Sequence, residues 1–302
     1  MRNTDTFRQY IWLVNTIERH KKISLERLSE LWIDYDLNEK KPLSRATFYR
    51  LKLAIEDMFG ICIECDTKDG YQYYIANDEM LKSNSTQIWM LRTLTVNSLL
   101  LDGLSIKDQL LLEDIPAGLE HLETVINAIK NHDTLRMGYK KFSDSEPYST
   151  LIEPYCLKLF HQRWYLLGRT DRKKGGLGIF ALDRMTELTE TDKHFEMDST
   201  FDAEHFFSDY FGVFIGENEK PTRIVLRAYG KMIPLIRTLP KHPSQKEIAT
   251  TETYSDFEYH LAPTFDFRQE ILKEGHELEV IEPKSLRKKI HDELANTIRR
   301  YE

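Results

Sequence analysis

The stretch Arg163-Trp164-Tyr165-Leu166-Leu167-Gly168-Arg169 decides the fold. As a strand it sends Trp164 and Leu166 to one face and Tyr165, Leu167 and Arg169 to the other. The apolar run Leu157-Lys158-Leu159-Phe160 precedes it, joined through His161-Gln162-Arg163, so the two runs read as a hairpin. A third run, Gly178-Ile179-Phe180-Ala181-Leu182-Asp183-Arg184, follows the basic, glycine-rich turn at 172–176. Read as a strand, it puts Phe180, Leu182 and Arg184 on one face. The plain reading is a small sheet with aromatic filling, since aromatics are common in strands. Two residues pull the other way. Arg169 and Arg184 each lie in an otherwise apolar strand, where an arginine is costly unless something pairs with it. Both end their strands on the face of neighbouring apolar groups, which suits a basic groove with an aromatic floor.

The Trp164-Tyr165-Leu166 triplet, Arg169 three residues later and the Phe180-x-Leu182-Asp183-Arg184 run together resemble a WYL domain. The resemblance implies a small Sm-like β-barrel of bacterial transcription regulators, one that senses nucleic-acid or nucleotide-like anionic ligands. It implies a ligand-binding set of Tyr139, Trp164, Tyr165, Arg169 and Arg184, with the aromatics stacking and the arginines pairing with phosphate. Gly178 departs from the family pattern, in which an arginine often stands two residues before the phenylalanine.

The 302 residues are enough for two or three domains with real cores, and 41% hydrophobic with 11% aromatic residues is the composition of a soluble globular chain. No apolar run approaches the ~20 residues of a membrane span, and the N-terminal segment reads as an amphipathic helix rather than a signal peptide. Three cysteines point to a reducing cytoplasm. A net charge of −7 excludes nucleic-acid binding by the whole surface and demands a local basic patch instead.

Phe7, Ile11, Val14 and Ile17 predict a helix over 5–19. Ser24 caps a second helix with Leu25, Leu28 and Trp32 on its buried stripe. A polar loop at 36–42 leads to Ser44, which caps a third helix carrying Phe48, Leu51, Ile55 and Met58 and stopped by Gly60. Apolar strands at 61–65 and 71–75, joined through Lys68-Asp69-Gly70, complete the pattern of a winged helix-turn-helix, with a plain α+β domain as the alternative. From Lys40 through Ile55 the charged residues are Lys40, Lys41, Arg45, Arg50 and Lys52, with no acid among them. That is the end of the motif that enters the major groove, where Arg45, Tyr49 and Lys52 share a face. The segment resembles the DNA-binding head of the same regulators, matching at Ser44, Thr47, Phe48 and Arg50 but not at Ala46 or Leu51. The expected DNA contacts are Lys41, Ser44, Arg45, Thr47, Tyr49, Arg50 and Lys52. Cys62-x-x-Cys65 is read as structural, because strand alternation sends the two thiols to opposite faces.

Helical patterns fill 84–132, with one stripe of Ile88, Leu91, Leu94 and Ser98-Leu99 and another of Leu119, Leu122, Val125 and Ile129, separated by Pro116 and Gly118. Leu135, Met137 and Tyr139 open a strand. The basic residues Arg172, Lys173 and Lys174 are read as solubilising. Beyond a helical stretch at 203–211 the order strand, helix, strand, strand, helix, strand is ferredoxin-like. A final helix follows with Leu286, Ile290, Leu294 and Ile298. With Glu282-Pro283-x-x-Leu286-Arg287, this unit resembles the WCX-type extension that often follows WYL domains, and the resemblance implies a homodimer.

The predicted chain is therefore an α+β multidomain protein. It has a winged helix-turn-helix over 1–80, a helical connector over 81–133, an Sm-like WYL barrel over 134–200, and a linker with a ferredoxin-like domain over 201–302. No glycine-rich phosphate loop, nucleophile elbow or HExxH is present, so neither an enzyme nor a cofactor or metal is expected. Two functions compete: a transcriptional regulator whose operator binding responds to an anionic ligand, and a non-regulatory nucleic-acid-binding scaffold or accessory factor.

Overall fold

A computed structural model of the chain describes residues 3–35, 41–83, 85–102, 109, 118–173, 176–216 and 219–302. The chain is mixed α and β, with three antiparallel sheets among the described residues, and divides into two compact units, Met1–Glu113 and Asp114–Glu302. No described helix is long and apolar enough to cross a membrane.

In the first unit, α1 (Asn3–His20) buries Ile11, Leu13, Val14 and Ile17. Strand β1 (Ile23–Ser24) leads directly into α2 (Leu25–Ile33), where the Ser24 hydroxyl accepts the Arg27 amide and Leu28 and Trp32 are buried. Helix α3 (Arg45–Phe59) starts in the same way, with Ser44 Oγ accepting the Thr47 amide at 3.1 Å. It ends at Gly60, whose φ of 67° only glycine adopts without strain. The buried stripe is Phe48, Leu51, Ile55 and Phe59. Met58, expected on it, is 37% exposed, because a step of four residues from Ile55 stays nearer the stripe than a step of three.

Strands β2 (Ile63–Asp66) and β3 (Gln72–Ile75) form the expected hairpin, and β1 pairs with β3 to give the order β1-β3-β2. Helix α4 (Thr86–Asp102) then lays Ile88 and Leu91 into the same core, against α1 and α3. Ser98 further along α4 is buried, but Leu99, expected beside it, is 64% exposed. The expected separator Pro116 lies outside the described residues.

In the second unit, α5 (Leu122–Asn131) packs Val125 and Ala128 under a five-stranded sheet of β4 (Asp133–Tyr139), β5 (Tyr148–Phe160), β6 (Arg163–Thr170), β7 (Leu177–Ala181) and β8 (Met185–His194). The order is β7-β6-β5-β4-β8, antiparallel throughout. The β5–β6 hairpin turns on His161 and Gln162, with φ of 46° and 61°, the twist of a two-residue primed turn. A register shift between Pro154 and Cys156 leaves Tyr155 unpaired, a β-bulge opposite Gly168. A Cβ at Gly168 would stand 2.7 Å from the Glu153 carbonyl oxygen, so the close approach admits only glycine.

The third run departs from its expected form. The strand stops at Ala181, and Leu182–Arg184 turns as a 3-10 helix, so Phe180, Leu182 and Arg184 do not share a strand face. Phe180 and Leu182 are both buried by the sheet's core. The turn is what places Arg184.

The outer face of this sheet carries a smaller core of Tyr155, Leu167 and Phe195, flanked by Phe201 and by Phe206 and Phe207 of α6 (Ala203–Ser208). Strands β9 (Thr222–Tyr229), β10 (Lys246–Thr250), β11 (Tyr254–Leu261) and β12 (Leu278–Glu282) form the last sheet, in the order β10-β11-β9-β12. Helices α7 (Met232–Thr238), α8 (Phe265–Lys273) and α9 (Lys284–Ile298) accompany it, each burying residues in the sheet's core. Leu286 and Ile290 of α9 are buried, whereas Leu294 and Ile298 of the same expected stripe are exposed.

Candidate nucleic-acid and anion-binding surfaces

The first surface is the outer face of α3. Once Phe48, Leu51, Ile55 and Phe59 are committed to the core, the helical period leaves Arg45, Ala46, Tyr49, Arg50 and Leu53 exposed along one side. Thr47 and Lys52 are half-buried, and Lys41 and Ser44 are exposed just ahead of the helix. Ser44 and Thr47 shape the helix start, since their hydroxyls lie 2.9 Å apart while Ser44 also caps the Thr47 amide. The Tyr49 hydroxyl lies 3.5 Å from that of Tyr73 on the hairpin. Lys40 lies outside the described residues. Exposed Glu56 and Asp57 close the basic face.

The hairpin itself carries carboxylates: Glu64 accepts the Tyr74 hydroxyl at 3.1 Å, and two others pair with Lys22. Lys22 Nζ sits 2.8 Å from Asp66 and 3.0 Å from Asp69. Those hydrogen bonds raise the Lys22 ammonium well above its ordinary value, and the Lys22 bond holds Asp66 below its own.

The second surface is a cleft of about 430 Å³ in the second unit, lined by Tyr139, Lys141, Tyr148, Thr170, Arg172, Ile179, Phe180 and Arg184. Tyr139 and Tyr148 are register partners on β4 and β5, which brings their rings to 6.0 Å. Arg184 lies 5.0 Å from the Tyr139 ring and 3.9 Å from that of Phe142, and its Nε and Nη2 donate to the Lys140 carbonyl at 3.1 and 2.9 Å. Arg172 sits 4.1 Å over Tyr148, with Lys141 Nζ 5.6 Å from the same ring.

Tyr139 is buried, and its hydroxyl accepts the Ala181 amide. Burial raises both phenols, which stay neutral at physiological pH. Among the described residues no carboxylate lines the cleft. Two nearby acids are engaged by other partners: Asp171 accepts the Thr150 hydroxyl, and Asp183 pairs with Arg163 at 2.6 Å, while Asp144 remains close enough to act on Tyr148. Three cations spread over two tyrosine faces can hold phosphate or another anion while offering rings for a flat group to stack on.

The five residues expected to bind ligand do not converge. Tyr139 and Arg184 meet in the cleft. Trp164 is half-buried against the core on the Leu166 side, and Tyr165 lies on the opposite face, paired in register with Lys158. Arg169 shares that opposite face. It lies 3.5 Å from Glu153 and 5.2 Å from the Tyr155 ring, so its charge is answered there and not beside Arg184. Strand alternation sends Arg169 outward with Leu167, while the 3-10 turn carries Arg184 to Tyr139.

Sequence reading missed Lys141, Tyr148 and Arg172. Arg172, read as solubilising, stacks on Tyr148. Its signal was its position two residues beyond the strand end, opposite an aromatic; the Lys173 side chain and Lys174 lie outside the described residues. On the outer face Lys158 Nζ rests 3.8 Å from the Phe207 ring, and burial pushes its ammonium down to about 8, against the opposing pull of Cys156 and Asp266. Asp266 is itself engaged by the Val213 and Phe214 amides, both at 2.7 Å.

No curated protein matches the chain. Among solved structures, the proteasome accessory factor B/C (PafBC) of Arthrobacter aurescens is 18% identical with a TM-score of 0.35, and the match covers 95% of this chain. This chain spans only 45% of that structure's length. A CRISPR Cas-related protein is 15% identical with a TM-score of 0.42, over 84% of this chain and 71% of its own. Two family models match directly. The WYL domain matches residues 120–190, taking in α5 and the five-stranded sheet as far as the middle of β8, and the WCX domain matches residues 220–298. The chain therefore carries a WYL domain followed by a WCX domain.

Proposed function

We propose that the chain is a DNA-binding transcriptional regulator of the WYL type, in which α1–α3 and the β2–β3 hairpin act as a winged helix-turn-helix. In this reading α3 docks in the major groove of an operator, the five-stranded sheet is an Sm-like barrel, and the β9–β12 sheet with α7–α9 is a ferredoxin-like WCX extension. The protein works in the cytoplasm as a homodimer and by binding rather than catalysis. Its effector is a nucleic-acid or nucleotide-like anion held by Tyr139, Tyr148, Lys141, Arg172 and Arg184.

The observation that carries the reading is the acid-free face of α3. A chain of net charge −7 is on balance unfavourable for DNA, yet Arg45 and Arg50 stand exposed with no carboxylate on the helix before Glu56. Charge placed against the overall balance in this way suits directed docking rather than indiscriminate adhesion. The cleft supports the sensing half, because cations stacked on neutral phenols answer phosphate and base together.

The test is binding of the full chain to duplex DNA from upstream of its own gene, measured across a salt series. Arg50→Ala is expected to weaken binding and to lower the salt slope by about one. An Arg50→Ala chain with unaltered affinity and slope contradicts groove docking.

A further inference from the structure

The exposed face of α3 is not uniformly charged. Ala46 and Tyr49 lie among Arg45 and Arg50, and Leu53 follows one turn beyond Tyr49. Tyr49 is 49% and Leu53 63% exposed. Steps of three and four residues place Ala46, Tyr49 and Leu53 on a single stripe about 10 Å long. The core-facing stripe of the same helix is separate and complete, so these three residues are not left over from packing. A lone exposed leucine is ordinary. A short apolar stripe set between two guanidiniums is a surface with two chemistries.

Duplex DNA offers the matching pair. Its phosphates and guanine edges suit guanidinium, and only thymine presents an apolar group in the major groove, the C5-methyl. We infer that Ala46, Tyr49 and Leu53 read thymine methyl groups, so that the recognised duplex carries thymines at neighbouring positions between the contacts of Arg45 and Arg50. This rests on the docking of α3 proposed above and adds the chemistry of the sequence it selects. Charge complementarity favours DNA over a protein partner here, since the arginines flank the stripe on the helix that carries no acid before Glu56.

The test uses the full chain to recover duplexes from a random-sequence pool, then replaces each thymidine of the recovered site by deoxyuridine, which lacks only the methyl. Each contacted methyl removed is expected to weaken binding roughly fourfold, the worth of one buried methyl group. The Leu53→Ala chain should lose the penalty at one position and keep it at the others, and Leu53→Gln should do the same. Both substitutions fall at an exposed site of good helix propensity, and circular dichroism checks the fold. Deoxyuridine duplexes that bind as tightly as the parent overturn the inference while leaving docking intact. So does a Leu53→Ala chain that retains every penalty. Recovery of no duplex at all brings down docking and inference together.

Discussion

Arg184 is held by the Lys140 carbonyl and by the faces of Tyr139 and Phe142, so its guanidinium is fixed before any ligand arrives. Arg172 is placed in the same manner by Tyr148. Removing either is expected to weaken binding of a single-stranded oligonucleotide by about 10- to 100-fold, the range of a charge-assisted contact, with little change in thermal stability. Fluorescence anisotropy would measure it. Arg169→Ala should leave that affinity within about twofold, because its partners lie on the other face.

Lys158 makes a different prediction. Its folded value of about 8 lies below the unfolded one, so the fold binds fewer protons between pH 8 and about 10.4, and stability rises with pH across that window. Below pH 8 the ammonium, discounted for its partial solvent screening, costs on the order of 2 kcal/mol, and Lys158→Met should recover it. Cys156, pushed up to about 11 by burial, acts in the opposite sense over part of the same range. The difference in melting temperature between the two chains against pH therefore isolates the lysine. A constant difference from pH 7.5 to 10.5 would contradict the assignment. At this scale the sequence showed which arginines were unusual but not what each would touch, because a single 3-10 turn decides where Arg184 points.

Among the elements, α3 shows most clearly how sequence sets structure. Ser44 and Gly60 mark its ends, and the stripe from Phe48 to Ile55 sets the face it exposes. Ser44→Ala should cost about 1 kcal/mol of the first unit's stability in a denaturant melt, and Ser44→Asp should restore it. Caps, periods and the Lys68-Asp69-Gly70 turn made this unit legible residue by residue. Strand β1 was not, since two residues carry no alternation and it exists only because β3 offers an edge. The helical run after residue 84 read as one connector, yet α4 joins the first core and α5 the second. Periodicity reveals that a helix has a buried face without revealing which core receives it. The unequal fate of the α9 stripe, buried at Leu286 and exposed at Ile298, has the same origin.

For the whole molecule, an acidic chain that binds nucleic acid must confine the contacts to small surfaces, and the two proposed here lie in separate compact units. Regulation then requires that occupancy of the cleft change the affinity of α3 for DNA. Such a coupling is reciprocal and commonly worth about 5- to 150-fold in affinity. The most direct measurement is the dissociation constant of the full chain for its upstream duplex, with and without a saturating single-stranded oligonucleotide. A shift of at least about fivefold, abolished in the Arg172→Ala, Arg184→Ala double variant, is the predicted result. An identical constant in both conditions, with the oligonucleotide shown to be bound, would contradict the sensor-regulator account.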